Sequence, residues 1–409
     1  MGLRAAGARA AGAGRWLAGA LGETALWVYA RSARVSAVDR QADLEPRSIL
    51  VLRNNDLGDL LVVTPLFEAL RRRFPAARIA AAVGRWGLPL LAGNPHLTEV
   101  LPLDAPWFNK FVPGQTTWRR LRYLLRSPEI DALRRRRFDV GIDVLGSRWG
   151  AALLLRAKIP WRLGVRGYAG GHTGVQRTAT FDPSEHVGRS ALCFAGLLGA
   201  GGLPDSAAAR PQIFLTPAER AAGEAAWRAV GALEPGRARR IVVAPGAGLA
   251  VKSWPLESYR ELAASLARSA GVAVAIAGGP GDRAAGERLA AGADRAACVA
   301  NLAGHLSLRE TFALLAAADL VVCNSSVAMH AAAAFAKPTV VLLGPSFPSA
   351  RQHQAQWGYP GLTVSLGREP GERDAVVTPA EALAAIGAIG ARARSADSAA
   401  AAGLEAGAR

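Results

Sequence analysis

Apolar residues in this chain cluster in short runs, each followed by a polar, glycine-bearing turn and then by a longer stretch with apolar positions every three or four residues. Such alternation predicts buried parallel strands that feed helices, one unit after another. In the first half the strands are predicted at Ile49–Leu52, Arg78–Val83, Val100–Leu103 and Val140–Val144. Helices follow most of them, the first expected over Leu60–Phe74 with Pro65 inside it, and the basic segment Phe108–Arg137 is expected to be helical in its second half. In the second half the strands are Ile241–Ala244, Val272–Ala277, Leu320–Cys323 and Thr339–Leu343, with helices over Leu256–Ser269, Leu308–Ala317 and from Ala328. Thr216 with Glu219 three residues later has the form of a capping box and starts a further helix. An apolar helix is expected over Ala191–Leu198.

Repeated strand–turn–helix units predict the α/β class, as two facing Rossmann-like doubly wound domains with a ligand cleft between them. The Gly/Pro cluster Gly199–Pro204 is the natural boundary. The resulting division is a basic extension over 1–46, a first domain over 47–205, a second over 206–375, a C-terminal helix over 376–394 and a disordered Ala/Gly-rich tail over 395–409.

Composition narrows the function classes. The 409 residues are 51% hydrophobic, enough for two cores, and the formal net charge is +17. A surplus of that size is read either as an Arg-rich surface or as attraction to an anionic partner such as a membrane leaflet, a phosphorylated glycolipid or a nucleic acid. Zinc-ligand spacings, RNP-type aromatic motifs and basic zippers are missing, which sets nucleic acid aside. Cys193, Cys298 and Cys323 stand far apart in apolar contexts and are expected to be free thiols. No run of about 18 apolar residues occurs, so no membrane span is predicted. Before Glu23 the chain has no acid, and Trp16, Leu17, Leu21, Leu26, Trp27 and Val28, flanked by Arg15 and Arg31, describe either an amphipathic helix on an anionic membrane or a locally packed or disordered extension.

Four stretches carry candidate chemistry. After the first strand, Arg53-Asn54-Asn55-Asp56 leads to Gly58 and Asp59, a carboxylate at a helix start that is either a cap or a base, with Asp56 as competitor. Gly246 and Gly248 free backbone amides at a strand end, and Lys252 follows, a combination suited to a diphosphate or else a surface lysine in a loop. Asp282, after Gly278-Gly279-Pro280-Gly281, is placed for ribose hydroxyls or for capping the helix to Ala291. Ser325 and Ser326 precede a helix and serve as cap or phosphate ligands, and His330 lies within its first two turns as a structural group or a ligand. No metal-ligand cluster or Asp-x-Asp pair is visible, so a metal-independent reaction is expected.

The stretches ILVLRNNDLGDLLVVTPLFEALRRRFP, FDVGIDVLGSRWGAALLLRAKIPWRLGV, VVAPGAGLAVKSWPLESYRELA, GGPGD and NLAGHLSLRETFALLAAADLVVCNSSVAMHAAAAFAKPTVVLLGPS occur in an order and spacing that resemble glycosyltransferase family 9, the heptosyltransferase-like enzymes of lipopolysaccharide core assembly. The resemblance spans about Ile49–Ser346 and implies a GT-B fold. It also implies inverting, metal-independent transfer from a nucleotide-sugar, ADP-heptose or a relative, to a glycolipid acceptor, with the nucleotide-sugar as co-substrate and no cofactor. Asp59 then matches the catalytic base, Lys252 the lysine at the departing diphosphate, Asp282 an acid for the ribose and Leu306 a residue of the base pocket. Ser326 and the amide of Val327 match phosphate-binding positions, and His330 the histidine of that helix. One departure is visible: where the family commonly reads NDSG, this chain has Asn324-Ser325-Ser326-Val327, with Ser325 in place of the acid. The expected setting is cytoplasmic, peripheral on the inner face of the membrane, next to an anionic glycolipid. The alternatives are a GT-B-like protein that binds a sugar nucleotide or glycan without transfer, a transferase using another donor, and a sugar-nucleotide epimerase.

Overall fold

In the first sheet every strand runs parallel to its neighbours, so successive strands are joined by crossovers over a face of the sheet and not by hairpins. The computed structural model of the protein describes residues 19–31, 45–199, 209–230, 239–292, 298–372 and 376–406. Arg15, Trp16, Leu17 and most of the Gly199–Pro204 boundary lie outside the described residues. The chain divides into two units, Met1–Pro183 with Gly188–Asp205, and Ser184–Val187 with Ser206–Arg409.

The first unit begins with helix α1 over residues 19–31. It continues with β1 (Ser48–Leu52), α2 (Leu57–Leu61), α3 (Pro65–Arg73), β2 (Arg78–Val83), α4 (Leu88–Leu91), β3 (Glu99–Pro102), α5 (Thr117–Arg126), α6 (Pro128–Arg136), β4 (Val140–Asp143), α7 (Arg148–Arg156), β5 (Trp161–Arg166), β6 (Arg177–Thr180) and α8 (Val187–Leu197). The strand order is β3-β2-β1-β4-β5-β6, with Ile49 opposite Ile79 on one side and Val140 on the other. Leu50, Leu52, Ala80, Ala82, Leu153 and Leu154 build one face of the core.

The predicted helix over Leu60–Phe74 is two helices. Pro65 has no N–H to give the preceding turn, and it takes the first position of α3, where none is needed. Residues Val62–Thr64 turn between them, and the Thr64 hydroxyl donates to the Leu61 carbonyl. The strand β5 was not predicted, because Arg162 breaks its apolar pattern. Arg162 is nevertheless buried, its guanidinium donating to the carbonyls of Ile159, Pro160 and Gly174. Burial pushes its pKa down to about 10.

The second unit runs α9 (Pro217–Ala229), β7 (Arg239–Ala244), α10 (Leu256–Arg268), β8 (Val272–Ile276), α11 (Arg283–Ala291), β9 (Val299–Asn301), α12 (Leu308–Ala316), β10 (Leu320–Cys323), α13 (Val327–Ala334), β11 (Thr339–Leu342), α14 (Ala350–Trp357), β12 (Thr363–Leu366) and α15 (Pro379–Ala406). Its sheet is also parallel, in the order β12-β11-β10-β7-β8-β9. The capping box of Thr216 and Glu219 opens α9 as predicted. The backbone of α15 runs on to Ala406 instead of stopping at 394, as an alanine-rich stretch with high helix propensity can. No disulfide joins the three cysteines; Cys323 is buried, while Cys193 and Cys298 are half-buried.

Both sheets reverse their winding at an inner strand pair, β1 with β4 in the first and β7 with β10 in the second. In doubly wound sheets the loops at the carboxyl ends of that pair form the ligand crevice. The loop after β1 leads into the first turn of α2 with Asp59 in one unit, and those after β7 and β10 hold Gly246, Lys252, Ser325 and Ser326 in the other.

Candidate active site

In the first unit the loop from β1 is held rigidly. The Asn54 side chain donates to the Ala105 and Trp107 carbonyls, and that of Asn55 donates to the Phe108 carbonyl. Asp56 stands at the cap position of α2 but makes no side-chain cap; its carboxylate accepts the Lys110 amide instead. Asp59 therefore lies inside the first turn of α2 and is not its cap. Its carboxylate is 37% exposed and sits 3.4 Å from the guanidinium of Arg53, which is almost wholly buried. Arg53 also donates through Nε to the Asp59 carbonyl. The same positive charge acts on Asp143, buried at the end of β4, whose carboxylate accepts the Ser147 amide. Burial pushes the Asp143 pKa up, against the pull of the Ser147 and Gly146 amides and of Arg53. Gly150 packs so closely on that carboxylate that no Cβ fits there.

This arrangement leaves Asp59 as the partly exposed acid of the loop and commits Asp56 to tethering Lys110. Arg53 was visible as a loop residue without a role. Asp143 gave no signal, because an acid ending a strand reads as ordinary loop chemistry.

In the second unit Asn324, in the loop after β10, knots that loop to the one after β7 and to α10. It is fully buried; its Oδ1 accepts the Trp254 amide and the Tyr259 hydroxyl, and its Nδ2 donates to the Pro245 carbonyl. Lys252 ends a short helical turn just before Trp254 and is exposed, its ammonium 5.9 Å from the centre of the Phe347 ring. The Gly344 amide donates to the Lys252 carbonyl, which joins the loop after β11 to the same edge.

Gly246 and Asp282 are neighbours. A Cβ on Gly246 would lie 2.7 Å from both Asp282 carboxylate oxygens, so only glycine lets the turn come this close. Asp282 Oδ2 accepts the Gly279 amide, and the side chain does not cap α11. Gly304, at φ +70°, folds the next loop onto Pro280, and Leu306, two residues on, is half-buried. Gly248 is exposed at the outer end of its turn. Ser326 holds the cap position of α13 without capping it, and Val327 is the first helical residue, so the amides at this helix head are not satisfied by a Ser326 side chain.

His330, read from the sequence as a structural group or a ligand, has a structural partner on one side of its ring. It is buried, with Nδ1 2.6 Å from the Tyr359 hydroxyl and its ring edge-on to Tyr359. Burial first, then the nearby His186 and His353, lowers its pKa to about 3, so the ring is neutral. It fastens α13 to the loop before β12. Missed by sequence reasoning was His353, whose Nε2 lies 2.8 Å from the Ser325 hydroxyl. His353 sits on α14 within a polar segment that has no motif, so only the fold brings it to Ser325. Among the described residues no three His, Cys, Asp or Glu side chains come together as a metal-ligand set.

Comparison with solved structures settles the fold. An Escherichia coli structure described as ADP-heptose lps heptosyltransferase II overlays with a TM-score of 0.65 at 24% identity, over 85% of this chain and 99% of that one. An E. coli heptosyltransferase solved with ADP gives a TM-score of 0.62 at 20% identity, over 84% and 98%. The fold is that of the GT-B glycosyltransferases. The chain belongs to glycosyltransferase family 9 (heptosyltransferase), whose family model matches residues 129–357. It is a glycosyltransferase, and it is 29% identical over 304 residues to lipopolysaccharide heptosyltransferase 2 of Salmonella typhimurium, across 73% of this chain and 83% of that protein.

Proposed function

We propose that the protein transfers heptose, or a closely related sugar, from an ADP-activated donor to a lipopolysaccharide-core or similar glycolipid acceptor, with inversion at the anomeric carbon. The observation that carries this reading is the likeness to lipopolysaccharide heptosyltransferase 2 over 73% of the chain. In this reading Asp59 takes the proton of the acceptor hydroxyl as its oxygen bonds to the anomeric carbon. The bond from that carbon to the donor phosphate breaks, and the electron pair leaves with the nucleoside diphosphate. Lys252 and the amides at the head of α13 hold the charge gained by the leaving group, an interaction stronger in the transition state than in the ground state. Gly246, Gly248, Asp282, Leu306, Ser325, Ser326 and Val327 form the donor side, and His330 supports it from beneath. The reaction needs no metal or cofactor in this scheme and takes place at the inner face of the cytoplasmic membrane, where lipid-linked acceptors of this kind are built.

The test is nucleotide release and product mass with a panel of ADP-, UDP- and GDP-sugars, with and without heptose-deficient lipopolysaccharide and with EDTA in a parallel arm. Acceptor-dependent ADP release with one added heptose, undiminished by EDTA, is the expected result. Transfer from another nucleotide-sugar alone would overturn the donor assignment, and no transfer from any donor would overturn the enzyme assignment.

A further inference from the structure

We propose that the outward faces of α1 and α5 form a docking surface for an anionic lipid bilayer. This rests on the membrane setting proposed above, to which it adds the surface that makes the contact, and it does not rest on the choice of donor. Both helices already have a satisfied inner face. Leu26 and Ala30 of α1 and Leu124 of α5 pack in one cluster with Ala151, Ala152 and Leu155 of α7. Glu23 locks α1 in place, its carboxylate accepting the Gly171 amide and the Thr173 hydroxyl, while Arg148 donates to the Gly19 carbonyl. The two helices thus both pack against α7 through one apolar cluster.

Their outer faces are the reverse of what a helix facing water carries. On α5, Trp118, Leu121 and Leu125 share one side at helical spacing, and Trp118 is 75% and Leu125 63% exposed. On α1, Leu21 is 70% exposed, with Trp27 and Val28 near half. The charges among them have one sign. The sequence of α5 has no acid, and Arg119, Arg122 and Arg126 are exposed without an acidic partner among the described residues. Arg31 of α1 lies over the Trp27 ring at 4.0 Å. Exposed Trp and Leu between arginines suit an interface where rings and aliphatic chains enter the acyl boundary and guanidinium groups meet phosphates. A second copy of the chain fits poorly, because a self-complementary contact would set these arginines against each other.

The full-length protein tests the proposal by co-sedimentation with phosphatidylglycerol-containing vesicles and with neutral phosphatidylcholine vesicles, at low and high salt. Binding to the anionic vesicles that weakens with salt is expected. Trp118→Ser/Leu125→Ser and Arg122→Gln/Arg126→Gln should each weaken it by roughly 10- to 30-fold, with an unchanged thermal midpoint and unchanged use of a soluble acceptor. Leu21→Ser/Trp27→Ser extends the test to α1. Equal binding of wild type to neutral vesicles, full binding by both α5 variants, or no binding by wild type would each overturn the proposal. So would a dimer in sedimentation velocity that the α5 variants dissolve, since it would assign the face to a second copy.

Discussion

The Ser325 hydroxyl lies 2.8 Å from Nε2 of His353, and the bonds beyond His353 fix which of the two donates. Gln354 donates its side-chain N–H to the carbonyl and hydroxyl of Thr363, which orients its amide. Its Oε1 then accepts both the amide and the hydroxyl of Ser365. The Ser365 oxygen is left to accept from Nδ1 of His353, at 2.9 Å. Burial, reinforced by the charge of Lys252, lowers the His353 pKa to about 4, so the ring is neutral at pH 7 and its Nε2 has only a lone pair to offer. Ser325 must therefore donate inward and present its own lone pairs to any other group. An acceptor in this position keeps, without charge, the hydrogen-bonding sense of the acid that the family resemblance leads one to expect there.

Ser325→Ala should accordingly raise the donor KM by about 3- to 10-fold, the weight of one neutral hydrogen bond, and leave the thermal midpoint within a degree or two. His353→Ala, which leaves buried polar groups unpaired, should lower the midpoint as well. Steady-state kinetics with the donor varied, beside a thermal melt, check both. A Ser325→Ala enzyme with wild-type donor KM removes this hydroxyl from the donor side.

Asp59→Asn preserves the shape of the side chain and removes its basicity. The expected loss in kcat is about 10²- to 10⁴-fold, with donor binding measured by calorimetry unchanged. Arg53→Ala should act differently. It removes a nearly buried cation that orients Asp59 through two contacts and that also faces Asp143, so activity and stability should fall together. Turnover near wild type in Asp59→Asn would eliminate it as the base.

Much of this architecture was legible because parallel strands buried on both faces write themselves as apolar runs. Leu320–Cys323 appears with the predicted bounds, and β2 matches residue for residue. What the pattern hid were elements whose polar groups are satisfied from elsewhere in the fold. Arg162 inside β5 reads as a loop until the three carbonyls that accept its guanidinium are known. The site was legible in part for the same reason. Gly246 and Lys252 signal themselves by composition at a strand end, but His353 reaches Ser325 across 28 residues. For His330 the sequence left a structural role and a ligand role open, and only the fold supplies Tyr359, 29 residues on, as the partner of its Nδ1.

Asn324→Ala should be among the more damaging single changes in the second unit. It removes a fully buried side chain that satisfies the Trp254 amide, the Tyr259 hydroxyl and the Pro245 carbonyl. Leaving such groups unpaired costs about 1–3 kcal/mol each, and a total loss of roughly 2–4 kcal/mol is expected once the loops relax. Urea unfolding measures it. Because the same bonds hold the loops of Lys252 and Ser325 together, donor affinity should fall even at temperatures where the variant stays folded. Stability within about 0.5 kcal/mol of wild type would show that the knot is dispensable.

Acid should weaken the protein well before its carboxylates are protonated. His330 and His353 have pKa values lowered to about 3 and about 4 by burial, from about 6.5 in the unfolded chain. Between those limits the unfolded state binds the extra protons, so stability is full above about pH 6.5 and falls as the pH drops towards 4. Each ring contributes a slope of at most about 1.4 kcal/mol per pH unit. Glu219, held down to about 2 chiefly by its bond to Arg309, contributes only below the ordinary carboxylate range. Asp143, raised by burial, acts in the opposite sense. The informative quantity is therefore the difference between wild type and His353→Gln, in which Asp143 cancels. Thermal melts from pH 7 to 4.5 should show a shallower fall for His353→Gln, and parallel curves would mean that His353 carries a proton in the folded protein.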